Sequence, residues 1–213
     1  MQAINENKFK KIIERKNSVA YIRMKIILKF SFLFIIGLGL GLGFFNSIVD
    51  DKSVDIGTIS KHFNSIFVNC ETISDHLITM LAASRSDIRH LLFIFISGFT
   101  YFCFIASGAI IFSRGLLMGF SSAYIIYAFE VNSQAVTTFM VVIYILSNII
   151  SSAILIHISV LAYIFSFDFR AIKRNNSILR RASITYRYSF FLILSLSGIL
   201  INNLIYCITA SFI

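Results

Sequence analysis

The residues of this chain that could take part in catalysis or metal binding are few, and their spacing matches no catalytic motif. The four histidines form no H-E-x-x-H pair and the three cysteines form no C-x-x-C pair, so the usual spacings of zinc-binding and redox sites are missing. His157 is the only histidine inside a long apolar run, and a Ser–His hydrolase built on it would also need a third, orienting side chain. We therefore interpret His157 as a packing residue and predict a protein that is not an enzyme and that needs no cofactor or metal.

The elements that carry these residues are long apolar runs, at roughly 30–49, 91–112, 116–129, 136–167 and 189–213. A helix needs ~20 mostly apolar residues to cross a hydrocarbon layer of ~30 Å. Four runs reach that length, and the third is short. With 57% hydrophobic and 14% charged residues, the sequence predicts an all-α polytopic membrane bundle of about five transmembrane helices over residues 30–213.

The basic residues divide unevenly between the two sides of these runs. Five alternating crossings place fifteen of the nineteen Lys and Arg residues on one side: eight in residues 1–29, Arg114, and six in residues 168–188. Because cytosolic loops collect Lys and Arg, we predict a cytosolic segment over 1–29, a cytosolic loop over 168–188 and a C-terminus outside a bacterial cell membrane. The predicted partner of the basic residues is the anionic lipid of that membrane rather than nucleic acid.

Residues 50–90 form a predicted outer segment that is too long for a simple turn. Its apolar residues recur every three or four positions, which is typical of an amphipathic helix. This stripe could pack on the protein's own spans, lie in the lipid interface, or dock a partner outside the cytoplasm. The candidates for partner docking are Ile59, Phe63, Ile66, Ile73 and Leu77.

Small and polar residues inside the runs predict where helices approach each other closely. Run one contains two overlapping G-x-x-x-G pairs, Gly37 with Gly41 and Gly39 with Gly43, which suit a contact inside the bundle or self-dimerisation. Arg114 and Gly115, between runs two and three, predict a tight inner hairpin. The predicted helix-packing residues are Gly37, Gly41, Gly115, Gly119, Ser122, Asn148, Ser152, Gly198 and Asn202.

Several landmarks arrive in the order used by a known family of five-span bacterial membrane proteins. Run one contains FLFIIG at residues 32–37, continues through Gly41 and ends in Asn-Ser-Ile at 46–48, while the predicted hairpin reads IFSRGLLMGF at 111–120. These stretches, with the long acidic outer segment and the basic stretch before the last run, resemble the stage II sporulation protein M family over nearly the whole chain. The chain departs from the family's fourth-span Pro-Gln-Asn, since Leu-Ser-Asn stands at 146–148.

The resemblance implies a non-enzymatic scaffold. Members of that family hold stage II sporulation proteins D and P, which hydrolyse peptidoglycan, at the septal membrane during engulfment of the forespore. The alternative is a transporter-type subunit, either the permease partner of an ATPase or a small pore, and the short third run, the long fourth run and the polar face at 147–152 favour it. No Asp or Glu falls inside a predicted run, which disfavours an ion-coupled carrier.

Overall fold

The computed structural model describes residues 2–50, 73–131, 138–174 and 178–211, which are helical except for a turn at 98–102. In chain order the five described helices are α1 (Gln2–Asp50), α2 (Ile73–Ser97), α3 (Cys103–Val131), α4 (Thr138–Arg174) and α5 (Ile178–Ser211). The predicted all-helical class is confirmed.

Four of the five helices contain a segment that is long and apolar enough to cross a membrane. These segments are Tyr21–Val49, Cys103–Tyr127, Val141–Ala171 and Ala182–Ile208. The remaining helix, α2, is more polar because it carries Arg85, Asp87 and Arg89 near its middle. The described helices therefore have the lengths and composition of a multi-pass membrane protein.

The inner hairpin predicted at residues 113–115 is wrong, because α3 runs through these residues without a break. Arg114 can lie in the middle of α3, inside the bundle, because its charge is paired with Asp87 of α2. Gly115 lies against the backbone carbonyl of Phe34 in α1, so its missing side chain serves helix packing rather than a turn.

The chain reverses direction earlier, between α2 and α3. The amide of Gly98 donates to the carbonyl oxygens of Ile94 and Phe95, at 3.2 and 3.1 Å, and closes the end of α2. Tyr101 and Phe102, which complete the turn, are exposed aromatic side chains. This turn falls inside predicted run two, and it is aromatic rather than charged, so hydropathy does not mark it.

Two predicted loops are shorter than expected. The outer segment predicted over 50–90 is part of α2 from Ile73 onward, and Ser84 and Asp87 are buried in the bundle, where they bond to neighbouring helices. Asp87 lies outside the predicted runs, which contain no Asp or Glu, yet it is buried in the bundle. The cytosolic loop predicted over 168–188 is helical on both sides of residues 175–177.

Successive helices run in opposite directions. One end of α2 bonds to α5 through Ser84 and Asn203, and its other end stacks Phe95 on Tyr188, so the residue numbers fall in one helix as they rise in the other. Corresponding contacts give α1, α3 and α5 one direction and α2 and α4 the other. The described helices form an alternating five-helix bundle.

A seam of glycines joins α1 and α3, which are parallel. A Cβ atom on Gly37 or Gly41 would collide with the backbone carbonyl oxygens of Phe112 or Leu116 in α3. The same is true in return for Gly115 and Gly119, against the carbonyl oxygens of Phe34 and Leu38 in α1. Gly39 and Gly43 face open space, so within the described residues only one of the two overlapping pairs is used by the bundle.

Large apolar side chains make many of the other contacts between helices. The main buried cluster draws on all five helices and includes Phe30, Leu91, Ile111, Leu155 and Ile199, each without solvent exposure. A smaller cluster around Phe45, Tyr124 and Ile125 lies at the far end of α1 and α3. Between these clusters lies the group of buried polar residues described next.

Candidate functional site

The most unusual chemical feature of the bundle is a buried ion pair between α2 and α3. Arg114 presents Nη1 to Asp87 Oδ1 at 3.0 Å and donates from Nη2 to Oδ2 at 3.2 Å, so the guanidinium meets both carboxylate oxygens. The two side chains are only 12% and 3% exposed. Only the Nη2–Oδ2 contact has hydrogen-bond geometry, so Asp87 Oδ1 is held by charge and has no hydrogen-bond partner among the described residues.

The ion pair extends to a third helix. Arg114 Nη2 also donates to Asn148 Oδ1 of α4, at 3.0 Å, and Asn148 Nδ2 donates to the carbonyl oxygen of Tyr144, at 2.9 Å. Ser152 donates to the carbonyl oxygen of Asn148, at 2.7 Å. One arginine therefore links α2, α3 and α4.

Two consecutive asparagines of α5 complete the arrangement. Asn202 Nδ2 lies 2.9 and 3.0 Å from the hydroxyl oxygens of Ser147 and Ser151 in α4 and 3.0 Å from the Ser147 carbonyl oxygen. Asn203 Nδ2 donates to Ser84 Oγ of α2, at 2.9 Å. Because neighbouring helical residues project about 100° apart, the pair joins two different helices.

We call this set the polar layer, comprising Ser84, Asp87, Arg114, Asn148, Ser151, Asn202 and Asn203. It connects four of the five helices, and its members bond mainly to one another. Buried polar groups are costly unless they are paired, whereas a paired network fixes the relative rotation of the helices that carry it. The polar layer is therefore suited to holding the helices in one arrangement.

His90 and Arg114 each have one buried nitrogen atom that makes no hydrogen bond within the described residues. His90 Nδ1 and Arg114 Nε are buried and have no hydrogen-bond partner among the described side chains. His90 lies three residues after Asp87 on α2, so an ionisable ring adjoins the ion pair. Within the described residues no group of three or more His, Cys, Asp or Glu side chains could hold a metal ion.

A cluster of aromatic rings lies where α2, α4 and α5 meet near the turn at 98–102. Tyr188 stacks between Phe95 and Phe165, with ring centroids 4.6 and 4.2 Å away, and its hydroxyl donates to the Phe95 carbonyl oxygen at 3.1 Å. Arg170 lies over the rings of Tyr101 and Phe167, 5.0 and 4.7 Å from their centroids. This cluster packs the end of the bundle opposite to Phe45.

The structure locates the predicted packing residues as follows. Asn148, Ser152 and Asn202 belong to the polar layer or bond directly to it. A Cβ on Gly198 would lie 3.3 Å from the side chain of Ile154 in α4, so this glycine is at a helix contact. Ser122 is half-buried on α3.

The predicted docking residues can be located only in part. Ile59, Phe63 and Ile66 lie outside the described residues, while Ile73 and Leu77 belong to the first two turns of α2. Their role in docking stays a prediction.

Sequence reasoning missed Asp87, Ser84 and Tyr188. A signal for the first two was present, because the three- or four-residue spacing of the outer segment's apolar stripe continues past Leu81 at positions 84, 87, 91 and 94, where Ser84 and Asp87 stand in line with Leu91 and Ile94. That continuity indicates one helix across the assumed boundary at residue 90. No protein-family model, no curated protein and no solved structure matches this chain.

Proposed function

We propose that this chain is a non-enzymatic membrane scaffold that anchors peptidoglycan hydrolases at the septal membrane during forespore engulfment. The resemblance of its landmarks to the stage II sporulation protein M family motivates the proposal. The observation that supports it is the polar layer, in which Arg114, Asn148 and Asn202 bind other helices of the same bundle. Polar side chains used in this way support a rigid platform.

In this proposal all five helices cross the cell membrane, with the N-terminus in the cytosol and the C-terminus outside. The alternating helix directions put the first half of α1, the turn at 98–102, the end of α4 and the start of α5 on one side of the bundle. Fourteen of the nineteen Lys and Arg residues then lie toward the cytosol, and only Lys52 and Lys61 lie outside. Arg85, Arg89 and Arg114 lie within α2 and α3 and so do not count as loop charges. The remaining basic residues divide 14 to 2 between the two sides, a stronger bias than the 15 to 4 of the predicted topology.

Cysteine labelling tests the orientation. We expect a membrane-impermeant maleimide to modify Tyr101→Cys only in inverted vesicles, because this residue is 75% exposed in the cytosolic turn. Ser113→Cys should stay unmodified on both sides, since residue 113 lies within α3 near the middle of the bundle. Native Cys70 and Ser177→Cys are the outer and inner references, and modification of Tyr101→Cys in intact cells would reverse the proposed orientation.

Recovery of wall hydrolases tests the scaffold role. We expect tagged stage II sporulation proteins D and P to co-purify with the chain from detergent-solubilised membranes of a sporulating host. Phe63→Glu and Ile66→Glu should abolish recovery, because each puts a charge on the predicted docking stripe, and Val68→Glu on the opposite side of that predicted helix is the matched control. Full recovery with both stripe variants inserted normally would refute docking at this segment.

A transporter-type subunit is the second candidate, and the buried ion pair with His90 beside it favours that reading. Ionisable residues at membrane depth often mark proton or ion pathways. A flux assay in reconstituted vesicles that contain a pH-sensitive dye distinguishes the two candidate functions. Proton or ion flux lost in Asp87→Asn would favour transport, whereas vesicles as tight as protein-free ones would support the scaffold.

A further inference from the structure

One side of α2 faces away from the bundle and combines two arginines with apolar side chains. Arg85 and Arg89 are exposed on this side, and Leu92 and Phe93 beside them are 46% and 57% exposed. Together with Leu81 and Ile96 they line an open groove of about 600 Å³. No carboxylate among the described side chains lies within ion-pair distance of either arginine.

The depth of this groove follows from the helix contacts. Gly37 of α1 contacts Phe112 and Leu116, so it is level with Arg114 between them. The apolar segment of α1 is Tyr21–Val49, and at ~1.5 Å per residue Gly37 lies about 24 Å from its first residue and about 18 Å from its last. Asp87 pairs with Arg114 at the same level.

Arg85 and Arg89 therefore lie within about 6 Å of mid-membrane depth, since Gly37 is about 3 Å from the middle of α1's apolar segment and each arginine is two residues from Asp87. An arginine near a helix end can extend its side chain to the lipid headgroups, but the distance to either end of α1's apolar segment is longer than the side chain. Charged residues at this depth face protein or water rather than lipid hydrocarbon. Something other than lipid chains must cover this side of α2.

The charge and shape of the groove select the occupant. All its described lining residues lie on α2, and from Leu81 to Ile96 this face of the helix is about 22 Å long, enough to pack along a transmembrane helix. A second copy meeting through the same side would bring arginines against arginines, and lipid phosphates lie at the membrane surface, far from this depth. An acidic side chain on a helix of another protein satisfies both arginines.

We propose that this groove binds a transmembrane helix of another protein, one that carries an acidic side chain near its middle. The inference rests on the proposed membrane placement and deepens the scaffold role, because it adds a docking surface inside the membrane to the predicted one outside. The acidic side chain would pair with Arg85 and Arg89, and the apolar side chains of Leu92, Phe93 and Ile96 would pack along the bound helix.

The test uses the full chain, fused at its C-terminus to a fluorescent protein, in vesicles of neutral phosphatidylcholine. The probes are two synthetic single-pass helices of Leu and Ala, one with a central Glu and the other with a central Gln, each labelled as an energy-transfer donor. We expect the Glu helix to bind about tenfold more tightly. Arg85→Gln combined with Arg89→Gln should remove this preference, and Arg187→Gln, an exposed arginine of α5, should keep it.

Several results would overturn the proposal. They are equal binding of the two helices, a preference that survives in the double variant, and dimers or tightly held phosphatidylglycerol that depend on Arg85 and Arg89. A disulfide between Leu92→Cys and native Cys70 of the same chain would show that the chain covers its own groove. Loss of hydrolase recovery with an intact Glu preference would remove the scaffold role alone, so the two failures are distinguishable.

Discussion

Replacing Arg114 with Met should destabilise the bundle by about 3–5 kcal/mol, because the Asp87 carboxylate would stay buried without its counter-charge. Asp87→Leu should have an effect of similar size, since it leaves the guanidinium buried. Both effects are measured as a change in the midpoint of thermal unfolding in detergent. Unfolding is followed with a fluorescent maleimide that reacts with exposed thiols. Cys103 and Cys207 are buried, so their thiols react only when the bundle opens, and a Cys70→Ser background removes the third thiol.

The double variant Asp87→Leu with Arg114→Met separates charge from packing. Replacing both partners of a buried ion pair with apolar side chains is often neutral, so we expect the double variant to recover most of the lost stability. Arg187→Met is the matched control, because this arginine is exposed and makes no ion pair among the described residues. Single variants that melt like the native chain would show that the ion pair contributes nothing.

Hydropathy predicted the class of this fold better than its boundaries. The apolar runs anticipate the apolar parts of α1, α4 and α5, although α1 begins 28 residues before run one and α5 begins 11 residues before run five. The predicted boundary between runs two and three is wrong, because a charged residue does not end a span here. Arg114 is inside α3, and the real turn contains Gly98 and exposed aromatic residues, which a hydropathy profile reads as continuing the span.

The polar layer was half predictable for a related reason. Asn148 and Asn202 occur in apolar runs, and a polar amide there must find a partner inside the bundle. Their partners depend on which helices are neighbours and at what height they meet, and one sequence does not contain that information. Asp87 was hidden further, because neighbouring Arg85 and Arg89 make its part of the chain look like an exposed loop.

The glycine seam between α1 and α3 supplies a prediction in which neighbouring glycines respond with opposite signs. We expect Gly41→Ala to lower stability by about 1–3 kcal/mol, the usual effect of overfilling a packed contact. Its new Cβ would meet the carbonyl oxygen of Leu116 and lie 2.8 Å from the amide nitrogen of Phe120. Backbone atoms cannot rotate away, so the two helices would have to separate along the seam.

Gly39→Ala and Gly43→Ala are the matched controls on the same helix. Nothing lies within 4 Å of a Cβ at either position, and alanine favours a helix over glycine by up to about 1 kcal/mol. The same maleimide assay should therefore show unchanged or raised melting temperatures for these two variants. Equal changes in melting temperature at Gly39 and Gly41 would mean that helix propensity alone determines the effect of an alanine. A loss confined to Gly41 would show that close approach to α3 is what this glycine provides, and that its packing role lies inside the bundle.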